Sequence, residues 1–188
     1  MRTVLDACVL LPGVMRAVLL AAARRGHFEP VWSPRILEEW ARAAIRIDPL
    51  AEGPVRQATA RMAEAFPNAS VDAVDLPEGT LPDPHDLHVL GTCRAAGAGF
   101  LVTRNHRDFP TGTLGRFGVS RSDPDPFLTA FAIEDSGLLS LAAEIAAQAA
   151  PDLAPRTVLK RANLPRLGKH LGQQLGSELR DRTGESRA

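Results

Sequence analysis

The first apolar run, Thr3-Val4-Leu5, is short and stops at an acid, Asp6. That pattern predicts a buried strand. Apolar residues then recur at helical spacing from Val14 to Arg25, with Gly26 as the stop. Phe28–Trp32 predicts a second short strand. Ser33-Pro34 marks a helix start, serine as cap and proline in the first turn, and the pattern runs to about Ile47. Another helix is predicted from Pro54 to Phe66, and Val71–Leu76 reads weakly as a strand. Asp83-Pro84-His85-Asp86 opens a helix carrying Leu87, Leu90 and Cys93, ending near Gly97. Phe100–Thr103 is a clear buried strand. After Asp123-Pro124-Asp125-Pro126 only helical patterns follow, at about 127–134, 136–149, 155–162 and 165–180.

Strands alternating with helices predict an α/β fold: a parallel sheet with helices on both faces, followed by a C-terminal helical extension. The expected boundaries are an α/β domain over 1–121, the extension over 122–182 and a frayed end at 183–188.

Composition narrows the function classes. Of 188 residues, 45% are apolar and 23% charged, enough for a real core and too apolar for wholesale disorder. Basic and acidic residues number 22 each, which excludes a uniformly basic nucleic-acid binder but allows a local patch. The charges are unevenly spread along the chain. Residues 151–188 carry Arg156, Lys160, Arg161, Arg166, Lys169, Arg180, Arg182 and Arg187 against four acids, leaving the tail at +4 and the rest at −4. The two cysteines, Cys8 and Cys93, sit in apolar surroundings and fit a reducing cytoplasm. Asp6 comes too early for a signal peptide, and no apolar window is long enough to span a membrane, so no membrane partner is expected.

In an open parallel sheet, functional side chains gather at the carboxyl ends of the strands. One strand ends in Asp6; the other leads into Arg104-Asn105-His106-Arg107-Asp108. Glu38 and Glu39 lie near the start of the Ser33 helix, and Asp86 near the start of the helix after Pro84. Asp6, one of Glu38 and Glu39, Asp86 and Asp108 can therefore converge. Converging carboxylates repel unless a cation sits among them, and hard oxygen ligands suit Mg²⁺ or Mn²⁺. Such a site can activate water for attack on a phosphodiester. The plain alternative is that each acid serves only as a cap or dipole partner.

Four segments in order carry a resemblance. They are Val4-Leu5-Asp6-Ala7-Cys8-Val9-Leu10, Ser33-Pro34-Arg35-Ile36-Leu37-Glu38-Glu39, Asp83-Pro84-His85-Asp86-Leu87-His88-Val89-Leu90, and Leu101-Val102-Thr103-Arg104-Asn105-His106-Arg107-Asp108-Phe109-Pro110. Together they resemble a PIN domain over about residues 1–120, and within that family the VapC-type toxins of bacterial toxin–antitoxin pairs. Asp125-Pro126-Phe127-Leu128 resembles a longer subgroup with a helical extension. The resemblance implies a flavodoxin-like fold and a Mg²⁺- or Mn²⁺-dependent endoribonuclease acting on RNA. It implies Asp6, Glu39 (favoured over Glu38), Asp86 and Asp108 as catalytic metal ligands. Many such sequences carry an aspartate where this chain has Asn105, which makes Asp108 the remaining acid. Asp83, Thr103 and Asn105 are expected to support the ligands from behind. The family also implies inhibition by a small cognate antitoxin.

Arg104, Arg107, Arg161, Arg166 and Lys169 are candidate RNA-backbone contacts. Leu159, Leu164, Leu167 and Leu171 form an apolar stripe, so one face of the extension should be buried. Cys8, Trp32 and Trp40 read as packing residues. His85 and His88 lack a second Cys/His pair at zinc spacing. A homodimer is a further expectation. Two rivals remain: a phosphatase of the haloacid dehalogenase type, for which Cys8 stands where a second acid is needed, and a degenerate PIN module that binds RNA or protein without cutting.

Overall fold

The computed structural model describes residues 1–183; of the end at 183–188 expected to fray, all but Thr183 lies outside the described residues. The chain begins with β1 (Arg2–Leu5), a single helical turn α1 (Ala7–Leu10) and α2 (Gly13–Arg24). It continues through β2 (Glu29–Val31), α3 (Pro34–Ile47) and α4 (Glu52–Ala65). Then come α5 (Leu87–Ala96), β3 (Phe100–Val102), α6 (Thr111–Arg116) and β4 (Ser120–Ser122). After the sheet follow α7 (Pro124–Glu134), α8 (Ser136–Ala149), α9 (Pro155–Arg161) and α10 (Pro165–Thr183).

Among the described residues all strand pairings are parallel, in the order β2-β1-β3-β4. The chain steps one way from β1 to β2 and the other way from β2 to β3. With right-handed crossovers, α2 and the α3–α5 segment therefore cover opposite faces. The packing agrees: α5 lies on β1 and α3, whereas α2 lies on β2, α7 and α8. The winding reverses between β1 and β3, and at that switch point ligands meet a flavodoxin-like sheet. Val4, Leu5, Leu101 and Val102 are fully buried between the layers.

Local chemistry explains the element ends. Ser33 Oγ accepts a hydrogen bond from Ile36 N at 3.3 Å, a cap worth about 1 kcal/mol. Gly97, at φ +59°, ends α5 in the left-handed region. The strand expected over Val71–Leu76 does not form. After one bridge from Trp32 to Ser70, the chain runs along α5, with Val74 N–H donating to Gly91 O at 3.3 Å. Gly91 is needed for that approach, since a Cβ there would lie 2.2 Å from Val74 O. The pattern of the sequence did not predict α1, α6 or β4, each too short to show a period.

The helices after 122 share one hydrophobic cluster with the sheet. Phe127 meets Phe28 edge-on at 5.1 Å and Phe100 at 6.3 Å, and stands edge-on to Phe131 at 5.0 Å. Leu159, Leu164, Leu167 and Leu171 are buried, as the stripe predicts. Asp135 caps α8 at Leu138 N (3.2 Å) and accepts from Arg25 (2.5 and 2.7 Å) and His27 (2.8 Å). The Arg25 guanidinium, then His27, hold its carboxyl well below the usual carboxylate range. Trp32 and Trp40 are both core residues, with the Arg16 guanidinium 4.7 Å above the Trp40 ring.

Candidate metal centre

Asp6 follows the last residue of β1, and its N–H donates to Val102 O at 3.1 Å, so its position is fixed by the sheet itself. It is 7% exposed. Two side chains address one oxygen of its carboxylate. The Thr103 hydroxyl donates to Oδ2 at 2.6 Å, and the Cys8 thiol donates to the same oxygen at 3.1 Å. Thr103 in turn accepts from Asn105 N at 3.0 Å. Thr103 thus stands behind Asp6.

Cys8 is more than packing. Besides its bond to Asp6, its sulfur accepts from Arg104 N at 3.3 Å. Burial, then the neighbouring Asp6 charge, push its pKa up to about 12, so the thiol stays protonated and serves as a donor rather than a nucleophile.

Asp86 sits in a 3₁₀ turn, Pro84–Asp86, that leads into α5. Its Oδ2 accepts from Asn105 Nδ2 at 2.9 Å. Asn105 Oδ1 accepts from Asp108 N at 3.3 Å. Asn105 therefore ties Asp86, Asp108 and the Thr103–Asp6 pair into one network. An aspartate at this position would put a further carboxylate against Asp86 instead of a donor.

Glu39 and Glu38 diverge on α3, as adjacent helical residues must. Glu39 Oε1 lies 2.9 Å from His88 Nε2 and faces the cleft; Glu38 is exposed and pairs with Arg42. His88 is buried, its Nδ1 without a partner among the described residues. It fixes Glu39 from α5.

The acids form two overlapping groups with Asp86 in both. Asp6, Glu39 and Asp86 line a cleft of about 540 Å³ together with Ala7, Cys8, Asn105 and the α3 residues Arg42 and Arg46. Asp83, Asp86 and Asp108 place one carboxylate oxygen each within 4.8 Å of one another. Asp83 also caps the turn at His85 N (2.8 Å). Burial first, then Asp6, Asp83, Asp108 and Glu39, raise the Asp86 pKa to about 6. An all-carboxylate donor set with an unusually basic member fits a hard divalent cation such as Mg²⁺ or Mn²⁺.

The expected RNA contacts scatter. Arg104 and Arg107 are exposed beside the strand ends, and Arg161, Arg166 and Lys169 are exposed on the extension. Of these, Arg104 and Arg166 come together in a second cleft with Lys160. Arg107, Arg161 and Lys169 do not line it. Sequence reasoning missed Arg42 and Arg46 on the cleft wall, although their spacing of three and seven from Glu39 places them near its helical face. It also missed the role of His88, whose partner Glu39 lies far along the chain, and that of Cys8, although its partner Asp6 is only two residues before it.

A PIN domain family model matches residues 2–107, more than half the chain and every acid of the two groups except Asp108. Comparisons with curated proteins and with solved structures gave no match. With parallel strands in the order 2-1-3-4 and acids gathered at the β1/β3 switch point, the chain belongs to the PIN domain family.

Proposed function

We propose that this protein is a Mg²⁺- or Mn²⁺-dependent endoribonuclease that acts as the toxin of a toxin–antitoxin pair. The family supports nuclease chemistry, and the three-acid cluster is compatible with a metal. The observation that carries the metal-dependent part of this reading is Asp86: a half-buried carboxylate beside four other acids, with one side-chain donor to hold it. Such repulsion in a cleft supports a cation site.

Asp6, Glu39 and Asp86 would hold a divalent ion in the cleft, with Asp108 and Asp83 grouped around Asp86 as a second set of acids. A divalent ion there supplies a polarised water and a counter-charge for a phosphodiester. The chain's own residues do the rest. Thr103 and Cys8 fix Asp6, Asn105 orients Asp86, and His88 holds Glu39. Arg46 on the cleft wall offers a positive charge to an approaching RNA phosphate.

The toxin role and inhibition by a small cognate antitoxin follow from the resemblance. So does RNA as substrate, and a homodimer belongs to the same reading. No helix among the described residues is long and apolar enough to cross a membrane, and a cytoplasmic location is part of the proposal.

The test is cleavage of a labelled RNA pool by purified protein with Mg²⁺, Mn²⁺ or a chelator, beside the Asp86→Asn variant. Metal-dependent internal cuts, lost in the variant, support the reading. Binding without cleavage in any metal would make the chain a degenerate PIN module.

A further inference from the structure

Beside the acidic cleft lies a second one of about 440 Å³, lined by Arg104, Asp123, Asp125, Lys160, Asn163 and Arg166 with three prolines. The cations come from two distant parts of the chain: Arg104 from the β3 end, Lys160 and Arg166 from α9 and α10. All three are exposed, and none has an ion-pair partner among the described residues. Both lining acids are already engaged. Asp123 Oδ1 lies 2.9 Å from His106 Nε2. Asp125, 7% exposed, accepts from Arg166 N at 2.8 Å and Leu167 N at 3.0 Å.

Asp125 explains how the cleft is built. It stands in the first turn of α7 and caps the first turn of α10, some forty residues on. It thereby fixes the Arg166 backbone against the first turn of α7. Asn163, at φ +61°, makes the tight turn between α9 and α10 that sets Lys160 near Arg166.

We propose that this cleft binds the phosphate backbone of an RNA strand whose scissile bond lies in the acidic cleft. The proposal rests on the nuclease reading of that cleft and adds a substrate subsite supplied by the C-terminal helices. The three cations outnumber the two carboxylates of the cleft, and both carboxylates are already hydrogen-bonded, so a polyanion meets an excess of positive charge there. The two clefts are also lined by neighbouring residues of the chain. Arg104 lines one and Asn105 the other, and adjacent Cα atoms are about 3.8 Å apart. On this proposal one strand occupies both, its scissile phosphate among the acids and a neighbouring phosphate among the cations.

The experiment uses the full chain and a fluorescent single-stranded RNA, with binding read by anisotropy against KCl concentration in chelator and cleavage kinetics read in Mg²⁺. Lys160→Gln/Arg166→Gln should lower affinity about tenfold or more. It should also reduce the slope of log affinity against log salt by about 1.4, roughly 0.7 for each phosphate no longer neutralised. In cleavage, KM should rise while kcat holds. Arg161→Gln/Lys169→Gln makes the same charge change on the same helices outside the cleft and should move the slope far less. Equal effects of the two pairs, or none from the first, overturn the subsite. So does competition by millimolar inorganic phosphate without any change in RNA slope, which would mark a free-phosphate site. Wild-type protein that binds RNA with this slope but never cuts it overturns the nuclease reading alone.

Discussion

Two carboxylates in this chain meet opposite fates. Asp125, at the start of the helical extension, gives both oxygens to backbone N–H groups at the start of α10. Its charge is met within the fold and joins two helices. Asp86, at the acidic edge, has one amide donor and four acids around it, and its pKa rises to about 6. The first is an acid that folding uses. The second is an acid that folding tolerates, and its unmet charge is what a cation would neutralise. Burial alone does not separate the two; the partners do.

The largest effect that would sharpen this contrast is on activity. Asp6→Asn and Asp86→Asn should each drop metal-dependent RNA cleavage to background in a gel assay, with the circular dichroism spectrum unchanged. Undiminished cleavage by both would remove the acidic edge from the chemistry.

Next comes the choice on α3. Glu39→Gln should lose most of the cleavage rate, whereas Glu38→Gln should keep it, because Glu38 lies on the exposed face with Arg42. An exposed pair of that kind contributes only about 0.3–0.5 kcal/mol to stability.

A smaller effect, on stability, tests the other side of the comparison. Asp125→Ala leaves two N–H groups at the α10 start without their acceptor. Urea denaturation should show a loss of about 2 kcal/mol. Asp86→Asn should move the midpoint the opposite way at neutral pH. If both variants are destabilised alike, the distinction between the two acids fails.

The last test is the pH dependence. Asp86 has a raised native pKa, about 6 against an ordinary 3.8, so the native state holds its proton longer than the unfolded chain. Stability should then fall as pH rises from about 4 to about 6, with the penalty complete above that range. Thermal melts of Asp86→Asn should show a flatter profile across this window. Added Mg²⁺ at about pH 7.5 should raise the melting temperature of the wild type and not of the variant.

Much of the fold is legible in the chain. The Ser33-Pro34 start, the Gly26 and Gly97 stops, the β1 and β3 runs and the leucine stripe after 155 are local signals, and each element forms where its signal lies. The convergence of Asp6 and Asp86 is legible too, since strand ends and helix starts share one edge of a parallel sheet. Short elements escaped. β4 reads Ser-Arg-Ser, with no apolar period, and is a strand only because β3 lies beside it. Val71–Leu76 has the residues of a strand but no neighbour to pair with after Ser70.

The sequence by itself determined the periodic elements, the parallel α/β class and the set of acids available at the edge, because propensity, capping and patterning act over a few residues. Tertiary structure alone decided the partners. It set Thr103 on Asp6, the Asn105 amide on Asp86, and Asp125 on α10 instead of among the other acids. Those pairings span up to about a hundred residues. A carboxylate's charge is settled by what lies within a few ångströms, and no local pattern records that.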